Sequence, residues 1–389
     1  MGDPVTPKIA EGNALRARAE AGPLRVLGVM SGTSMDGVDV KLLTTDGEGV
    51  IERGAALSGA IGEDARAVIR AAEPDARAAP RIDHRTPAIA AAEELVTTLH
   101  AGTILDWLQQ TGEAVDLVAW HGQTIMHAPE RRVTMQLGLA QRVADCTGVP
   151  VVSDFRRADV LAGGEGAPLV PVYHRALVRG TGIAEPVVML NLGGVANISY
   201  IDGETLIACD TGPASALIDD AMAEVGARYD ADGETAARGR VDAAALAALT
   251  AHPFFDRPPP KSLDRNAFSA APVAHLAHED RVATLTRFTV DSVARAVHAL
   301  PKRARTVLVF GGGSANVTMM AWLRQALGVP LEHDARFVSH HIEAEAFAYL
   351  GVRSLRGLPI TFPGTTGVAQ PLTGGRLTMP RSDAERGER

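Results

Sequence analysis

Apolar and polar residues follow the same succession of periods in the two halves of the chain. Short apolar runs bounded by turn residues predict strands, and apolar residues spaced by three and four predict helices. The elements predicted in the first half are strands at 24–30, 38–44 and 48–57, helices at 63–73 and 86–110, a strand at 115–120, a helix at 139–147 and a strand at 151–153. This half therefore has the order β-β-β-α-β-α-β.

The second half repeats that order with little identity between the aligned letters, which is typical of an old duplication. Its predicted elements are strands at 187–192, 195–201 and 204–209, helices at 213–226, 241–250 and 280–299, a strand at 307–310, a helix at 315–327, a strand at 330–332 and a helix at 341–355. Three consecutive prolines at 258–260 indicate an ordered loop or a small insertion in this half.

The length of 389 residues fits two lobes of roughly 150 to 200 residues each better than one core. We expect an α/β protein with a first lobe at 23–185 and a second lobe at 186–372. Residues 1–22 read as a disordered or loosely attached N-terminal extension, and residues 373–389 as a polar C-terminal tail.

Composition narrows the choice of environment and partners. Hydrophobic residues make up 46% and charged residues 22% of the chain, so disorder of the whole chain is not expected. The net charge of −8 argues against nucleic acid or an anionic membrane as a partner, and no apolar run is long enough to cross a bilayer. Cys146 and Cys209 are the only cysteines, which fits a reducing cytoplasm. The sequence leaves open whether the protein forms a homodimer.

The turn between the first two strands has the composition of an anion site. Its glycines and hydroxyls suit a nest of backbone N–H groups for phosphate, and Asp36 could bind Mg²⁺ directly or through water. A hairpin turn without any ligand is the alternative, because the same residues favour turns. The candidate residues are Ser31, Gly32, Thr33, Ser34, Met35, Asp36, Gly37, Val38 and Asp39.

Three segments of the second half are candidates for the same chemistry. Gly193 and Gly194 form the corresponding hairpin turn, for which a plain type I′ turn is the alternative. Asp210 is predicted at the end of a strand, just before a helix opened by Gly-Pro, where it or Thr211 could also be a helix cap. Gly311, Gly312 and Gly313 follow a strand and would let the backbone pass flat against adenine or ribose.

Polar side chains outside these turns point to a binding site for a small polar substrate. His121 and Gln123 follow the strand at 115–120, and no spacing typical of a zinc site accompanies the histidines. Arg156 could grip a carboxylate or sugar oxygens, although a surface ion pair is the alternative. Glu343 near the start of the last helix could face either the cleft or solvent.

The ordered set of motifs resembles that of the anhydro-N-acetylmuramic acid kinases over roughly residues 24–370. The matching segments are Met30-Ser-Gly-Thr-Ser-Met-Asp-Gly-Val-Asp39, His121-Gly-Gln-Thr124, Asp154-Phe-Arg156, Gly163-Gly-Glu-Gly-Ala-Pro-Leu169, Asn191-Leu-Gly-Gly194, Asp210-Thr-Gly-Pro213, Pro260-Lys-Ser262 and Gly311-Gly-Gly313. The resemblance implies the two-lobed fold of sugar kinases, actin and the Hsp70-type ATPases, with duplicated RNase H-like domains and the active site in the cleft between them.

The resemblance also implies a reaction and a set of roles. ATP and water would convert 1,6-anhydro-N-acetylmuramic acid into N-acetylmuramic acid 6-phosphate and ADP, a step of peptidoglycan recycling. Asp210 would activate the water, the turn at 31–39 with Gly193 and Gly194 would hold the phosphates, and 311–313 would lie against adenosine. Asp36 would help to position Mg²⁺. The implied substrate contacts are His121, Gln123, Arg156, Gly164, Glu165, Gly166 and Glu343.

Five residues at three sites depart from the family pattern. Glu165 stands in place of glutamine, Ala214-Ser215 in place of Gly-Asn, and Leu263-Asp264 in place of Thr-Gly. Glu165 should weaken binding of an acidic substrate unless an arginine such as Arg156 pairs with it. These departures keep two alternatives open, a kinase for a related sugar and a nucleotide-dependent scaffold of the actin type.

Overall fold

The computed structural model describes residues 5–79, 81–263, 267–334, 336–337 and 340–382. Parts of the predicted extension (1–4) and tail (383–389), and Asp264, lie outside these residues. The strands are β1 (Leu24–Ser31), β2 (Gly37–Thr45), β3 (Val50–Ala60), β4 (Leu117–Ala128), β5 (Val133–Leu137), β6 (Val151–Ser153), β7 (Val187–Leu192), β8 (Val195–Asp202), β9 (Thr205–Pro213), β10 (Thr306–Phe310), β11 (Leu331–Glu332) and β12 (Arg376–Thr378).

The helices occur singly or in runs between these strands. They are α1 (Val5–Ala21), α2 (Glu63–Ala78), α3 (Pro87–Thr111), α4 (Ala140–Thr147), α5 (Arg157–Leu161), α6 (Pro171–Thr181), α7 (Ser215–Ala223), α8 (Glu234–Arg238), α9 (Ala243–Thr250), α10 (His278–His298), α11 (Val317–Leu327), α12 (Ile342–Leu355) and α13 (Pro363–Thr366). None of the helices in the described residues is long and apolar enough to span a membrane.

The chain divides into two compact units, Met1–Gly180 with His340–Arg389 and Thr181–Ser339. The sheet of the first unit has the order β12-β6-β4-β1-β2-β3, with β5 paired to β4, and that of the second has the order β11-β10-β7-β8-β9. In each sheet an antiparallel three-strand meander continues through its first strand into two parallel strands. The duplicated β-β-β-α-β-α-β order predicted from the sequence is confirmed.

Local sequence explains the best-defined helix. Thr86 caps α3 by accepting a hydrogen bond from the N–H of Ile89, and Pro87 occupies the first turn. Gly112 ends the helix in the left-handed conformation, with φ of 63°. The buried face of α3, which includes Ile104 and Trp107, packs against the sheet of the first unit.

The last long helix, α12, belongs to the first unit, although the sequence prediction extended the second lobe to residue 372. Strand β1 passes so close to α12 that a Cβ atom at Gly28 would collide with the carbonyl of Ala344. Arg53 also donates two hydrogen bonds of 2.9 Å to the fully buried carboxylate of Glu345, and Tyr173 donates another of 2.7 Å. Sequence order alone does not reveal which core a helix joins.

The N-terminal segment also differs from the prediction of a loose extension. It forms α1, which buries Leu15 and Ala19, and Arg18 donates a 2.6 Å hydrogen bond to Asp116. Helices α5 and α6 follow in the segment between the strands predicted at 151–153 and 187–192, where the sequence analysis assigned no element.

Two strands extend beyond their predicted ends. Strand β4 continues to Ala128 because Gly122, with φ of 75°, redirects it to pair with β5. Strand β9 continues to Pro213, so Asp210 lies within a strand rather than at its end.

Candidate active site

A backbone hydrogen bond and buried side chains hold one side of the turn between β1 and β2, and its other side is exposed. The N–H of Met35 donates to the carbonyl of Gly32 at 3.1 Å, and Met35 has a positive φ of 57°. The side chain of Met35 is buried in the core, as is that of Val38, so only their backbone atoms could reach a ligand. Thr33 and Ser34 are exposed. The predicted ATP-binding residues of this turn therefore offer a ligand their backbone groups and the hydroxyls of Thr33 and Ser34.

The carboxylates of this turn have different surroundings. The side chain of Asp36 is 82% exposed, and its nearest cation is Arg66, whose Nη1 lies 3.9 Å from Oδ1. Asp39 instead accepts a 2.6 Å hydrogen bond from the hydroxyl of Ser58. No group of three or more His, Cys, Asp and Glu side chains suited to a metal ion occurs in the part of the chain described. A nucleotide-bound Mg²⁺ needs only one or two carboxylates besides phosphates and waters, and Asp36 fits that role.

Gln123 lies beneath the turn. Its Oε1 accepts a 2.7 Å hydrogen bond from the hydroxyl of Ser31, and its Nε2 donates to the carbonyl of Gly32 at 3.1 Å. Only 1% of Gln123 is exposed. The sequence assigned this residue to the substrate, but its amide is bonded to the backbone and hydroxyl of the turn.

His121 and Arg156 form one hydrogen-bonded chain. Arg156 donates from Nε to Nε2 of His121 at 2.9 Å and from Nη1 to the carbonyl of Gly166 at 2.8 Å. Burial lowers the pKa of His121 well below its ordinary value, and the Arg156 charge lowers it further. The neutral ring therefore carries its proton on Nδ1, which is bonded to the carbonyl of Gly122 at 2.9 Å.

The charge of Arg156 has acidic neighbours. Burial lowers the pKa of Arg156 to about 10, and the charges of Glu343 and Asp159 oppose that shift. Glu343 reaches solvent, yet enough protein surrounds its carboxylate for desolvation to raise its pKa; Arg156 lowers that pKa and Asp39 raises it. Arg156 thus remains a cation at neutral pH, beside a carboxylate that is accessible to a ligand.

The turn at 163–166 is built around Asp159, which the sequence analysis did not single out. Buried Asp159 accepts hydrogen bonds from the N–H of Gly166 and the hydroxyl of Thr366, both at 2.6 Å. A Cβ atom at Gly164 would collide with the Asp159 carboxylate, and Gly166 has a φ of 67°. These two glycines are therefore required by packing and conformation of the turn itself.

A cavity of about 450 Å³ opens beside His121 in the same unit. Charged side chains border it, including Asp154, Arg157 and Arg376. Burial raises the pKa of Asp154, while the charges of Arg157 and Arg376 lower it. Asp154 and Arg157 therefore border a cavity next to the His121–Arg156 chain.

Asp210 in the second unit is a half-buried carboxylate with one strong backbone partner. Its Oδ2 accepts a 2.6 Å hydrogen bond from the N–H of Leu263, and its own N–H donates to the carbonyl of Lys261 at 2.9 Å. Burial raises the pKa of Asp210 to about 6, while the Leu263 N–H lowers it. A carboxylate with that pKa is ionised at neutral pH and basic enough to take a proton.

The second hairpin turn contacts the start of α7. The carbonyl of Gly193 accepts from the N–H of Ser215 at 3.0 Å, and that of Gly194 accepts from Ala214 at 2.9 Å. Neither glycine has a positive φ, which excludes the type I′ alternative. A Cβ atom at either position would meet its neighbours at ordinary distances. Packing within the unit therefore does not explain glycine at these two positions.

The third glycine segment borders a cavity of about 430 Å³ in the second unit. Gly311 and Gly313 press against Leu192, so a Cβ atom at either would clash, whereas Gly312 has open space. The cavity is lined by Gly312, Gly313, Ser215, Ile218, Tyr229 and Met319, among others. Its size suits a small organic ligand.

Comparison with known proteins matches the sequence of this chain to one family. The family model of the anhydro-N-acetylmuramic acid kinases matches residues 24–380. Proteins of that name from Azorhizobium caulinodans and Rhizorhabdus wittichii are 49% and 48% identical to the chain. The alignments cover 92% and 91% of this chain and 100% and 98% of those proteins.

The chain belongs to the anhydro-N-acetylmuramic acid kinase family. Among solved structures, component A of (R)-2-hydroxyglutaryl-CoA dehydratase from Acidaminococcus fermentans is similar, with 12% identity, a TM-score of 0.45 and coverage of 85% of this chain and 99% of that one.

In this member of the anhydro-N-acetylmuramic acid kinase family, hydrogen bonds show the effect of two departures from the expected pattern. At Leu263 the contact to Asp210 comes from the backbone, so the change of side chain keeps it. At Glu165 the backbone bonds to Thr366 and His127, but no ion pair joins its carboxylate to Arg156 in the described residues. Among the described residues, the charge of Glu165 is therefore not offset by Arg156.

Two contributors to the site escaped the sequence analysis. Asp159 lies only three residues after Arg156, and a carboxylate so close to a glycine turn was a usable signal. The Leu263 N–H left no signal, because a backbone donor is independent of residue type.

Proposed function

We propose that the protein is an ATP-dependent kinase that hydrolytically opens 1,6-anhydro-N-acetylmuramic acid and phosphorylates its O6, giving N-acetylmuramic acid 6-phosphate and ADP. The membership of residues 24–380 in the family of that name carries this proposal. The enzyme is thus a phosphotransferase that uses an alcohol group as acceptor, and it acts in peptidoglycan recycling. We place it in the cytoplasm, where ATP is available and where two cysteines without a disulfide are expected.

The reaction needs one base and one phosphoryl acceptor. Water attacks the anomeric carbon C1 and gives up a proton, while the bond from C1 to O6 breaks. The electron pair of that bond stays on O6, which attacks the γ-phosphorus, and the bridging oxygen leaves with ADP. Asp210 takes the proton from water in this scheme. Its raised pKa and the fixed orientation of its Oδ1, with Oδ2 held by Leu263, support that role.

The surroundings of four glycines support the nucleotide contacts that we propose. Gly32, Gly193, Gly194 and Gly312 have room for a Cβ atom in the protein, and none has a positive φ. Because the fold does not require glycine there, close approach of a ligand is a sufficient reason. We assign the turn at 31–39 and the turn at 193–194 to the phosphates.

We assign the cavity beside Gly312 and Gly313 to adenosine. Asp36 would hold Mg²⁺, which when bound neutralises part of the phosphate charge.

We assign the sugar contacts to the polar and charged groups around Arg156 in the first unit. Arg156 is a fixed cation whose Nε and Nη1 are occupied, and its fork leaves Nη2 for the carboxylate of the substrate. Neutral His121 holds Arg156 in place. Glu343 and the carbonyl oxygens of the turn at 164–166 can accept hydrogen bonds from sugar hydroxyls, whereas the N–H groups of that turn are already bonded to Asp159 and Thr366.

An ADP-release assay with 1,6-anhydro-N-acetylmuramic acid, run with and without Mg²⁺, tests the proposal. We expect ADP and N-acetylmuramic acid 6-phosphate in equal amounts, and neither without the metal. ADP without a phosphorylated sugar would favour the actin-type scaffold. Faster turnover on a simple hexose would favour a kinase for another sugar.

A further inference from the structure

Both ends of the Gln123 amide are already bonded within the protein. At this point β1 and β4 shift register, so that Ser31 lies opposite Gln123. The oxygen accepts from Ser31, and the nitrogen donates to the carbonyls of Gly32 at 3.1 Å and Thr124 at 3.3 Å. An amide nitrogen has two N–H groups, and both have acceptors. With 1% of the residue exposed, no donor remains for a sugar.

The bond to Gly32 fixes the direction of one peptide group in the phosphate turn. The Gly32 carbonyl points into the protein, where it accepts from both Gln123 and the N–H of Met35. The peptide bond that follows it is trans, so its N–H, which belongs to Thr33, points the opposite way. Thr33 lies on the exposed side of the turn. Holding the carbonyl inward therefore aims the Thr33 N–H outward, as an anion nest requires.

We infer that Gln123 is a positioning residue of the phosphate turn, which aims the Thr33 N–H at the nucleotide, and that it is not a sugar ligand. This inference rests on the proposed role of the turn in ATP binding. Gln123 acts together with Ser31, whose hydroxyl ties the last residue of β1 to the same amide.

The substitution Gln123→Glu tests the inference with little change of shape. The carboxylate still accepts from Ser31 but has no N–H for Gly32, and it places a negative charge against that carbonyl. The matched control is Gln136→Glu on the neighbouring strand, whose amide nitrogen donates to the hydroxyls of Thr124 and Thr134 and does not touch the turn.

We expect Gln123→Glu to weaken binding of a non-hydrolysable ATP analogue, measured by calorimetry without sugar, by about tenfold or more. KM for ATP should rise similarly, KM for the sugar should change less than about twofold, and Gln136→Glu should leave both near wild type. Ser31→Ala should weaken the analogue in the same direction by less. The double variant Ser31→Ala, Gln123→Glu should bind the analogue no worse than Gln123→Glu alone, because both substitutions act on the same hydrogen-bonded chain from Ser31 through Gln123 to Gly32.

Two results would overturn the inference: a rise in KM for the sugar with unchanged affinity for the analogue, or no change in either. Should Gln123→Glu fail to fold by circular dichroism, Ser31→Ala carries the same comparison. The binding measurement needs no sugar turnover. A wild-type protein that binds the analogue but does not phosphorylate the anhydro sugar would refute the proposed function and leave this inference to be decided by calorimetry.

Discussion

Replacing Asp210 by Asn should strongly slow turnover and make the protein more stable at the same time. Asn has the same shape, and its oxygen can still accept from the N–H of Leu263. It has no basic carboxylate, so it cannot take a proton from water. General bases contribute roughly 10²- to 10⁴-fold to enzyme rates, and kcat should fall by about that factor. ATP binding should be largely intact.

The gain in stability follows from the raised pKa. In the unfolded chain the carboxyl has its ordinary pKa of 3.8, and in the folded protein burial raises it to about 6. Above pH 6 the folded protein therefore holds a charge that it disfavours by about 3 kcal/mol. As pH falls below 6 the folded state takes up a proton first, and the cost disappears near pH 4. Asp210→Asn removes this cost, so its advantage is largest at high pH.

Urea unfolding of both proteins at pH 8 and pH 5 measures the effect. We expect the variant to be more stable by up to about 3 kcal/mol at pH 8 and by about half of that at pH 5. The control is Asp256→Asn in the same unit, a carboxylate that is 79% exposed and paired with Arg295. Its stability should change by less than about 1 kcal/mol. Equal or lower stability of Asp210→Asn at pH 8 would refute the account of a desolvated carboxylate, and full activity would exclude Asp210 as the base.

Three further predictions concern pH and two other carboxylates. For the wild type, kcat should fall about tenfold per pH unit below about 6, because Asp210 must be deprotonated; a flat profile between pH 5 and 8 would contradict this. Glu165→Gln should lower KM for the acidic sugar because it removes a negative charge that Arg156 does not neutralise, and an unchanged or higher KM would count against that view. Glu345→Gln should lower the free energy of unfolding in urea by roughly 3 to 5 kcal/mol, since it replaces the buried carboxylate that accepts two hydrogen bonds from Arg53; a loss below about 1 kcal/mol would show that the pair is dispensable.

Periodicity predicted the fold well because most elements carry their own start and stop signals. Helix α3 was predicted at 86–110 and occupies Pro87–Thr111, bounded by Thr86 and Gly112. The meanders were recognisable since their strands are short apolar runs separated by glycine turns. Strand β4 was cut short at residue 120, because Gly122 reads as a terminator but here lets the strand bend and continue.

The site was only partly predictable, since residue type identifies a chemical group but not its direction. Val38 and Met35 stand in a motif of polar residues, yet both side chains enter the core. Gln123 reads as a ligand, and its amide instead bonds to a neighbouring turn. Long-range packing decided these cases, as it did for α12, and no local pattern encodes it.

The most direct test of the proposed reaction is a single turnover in water labelled with ¹⁸O, followed by mass spectrometry of the products. Because water attacks C1 while O6 takes the phosphoryl group, the account predicts one labelled oxygen in the sugar part of N-acetylmuramic acid 6-phosphate and none in its phosphate. Unlabelled product incubated for the same time corrects for exchange at C1. Label in inorganic phosphate, or a phosphorylated sugar without label, would contradict the account.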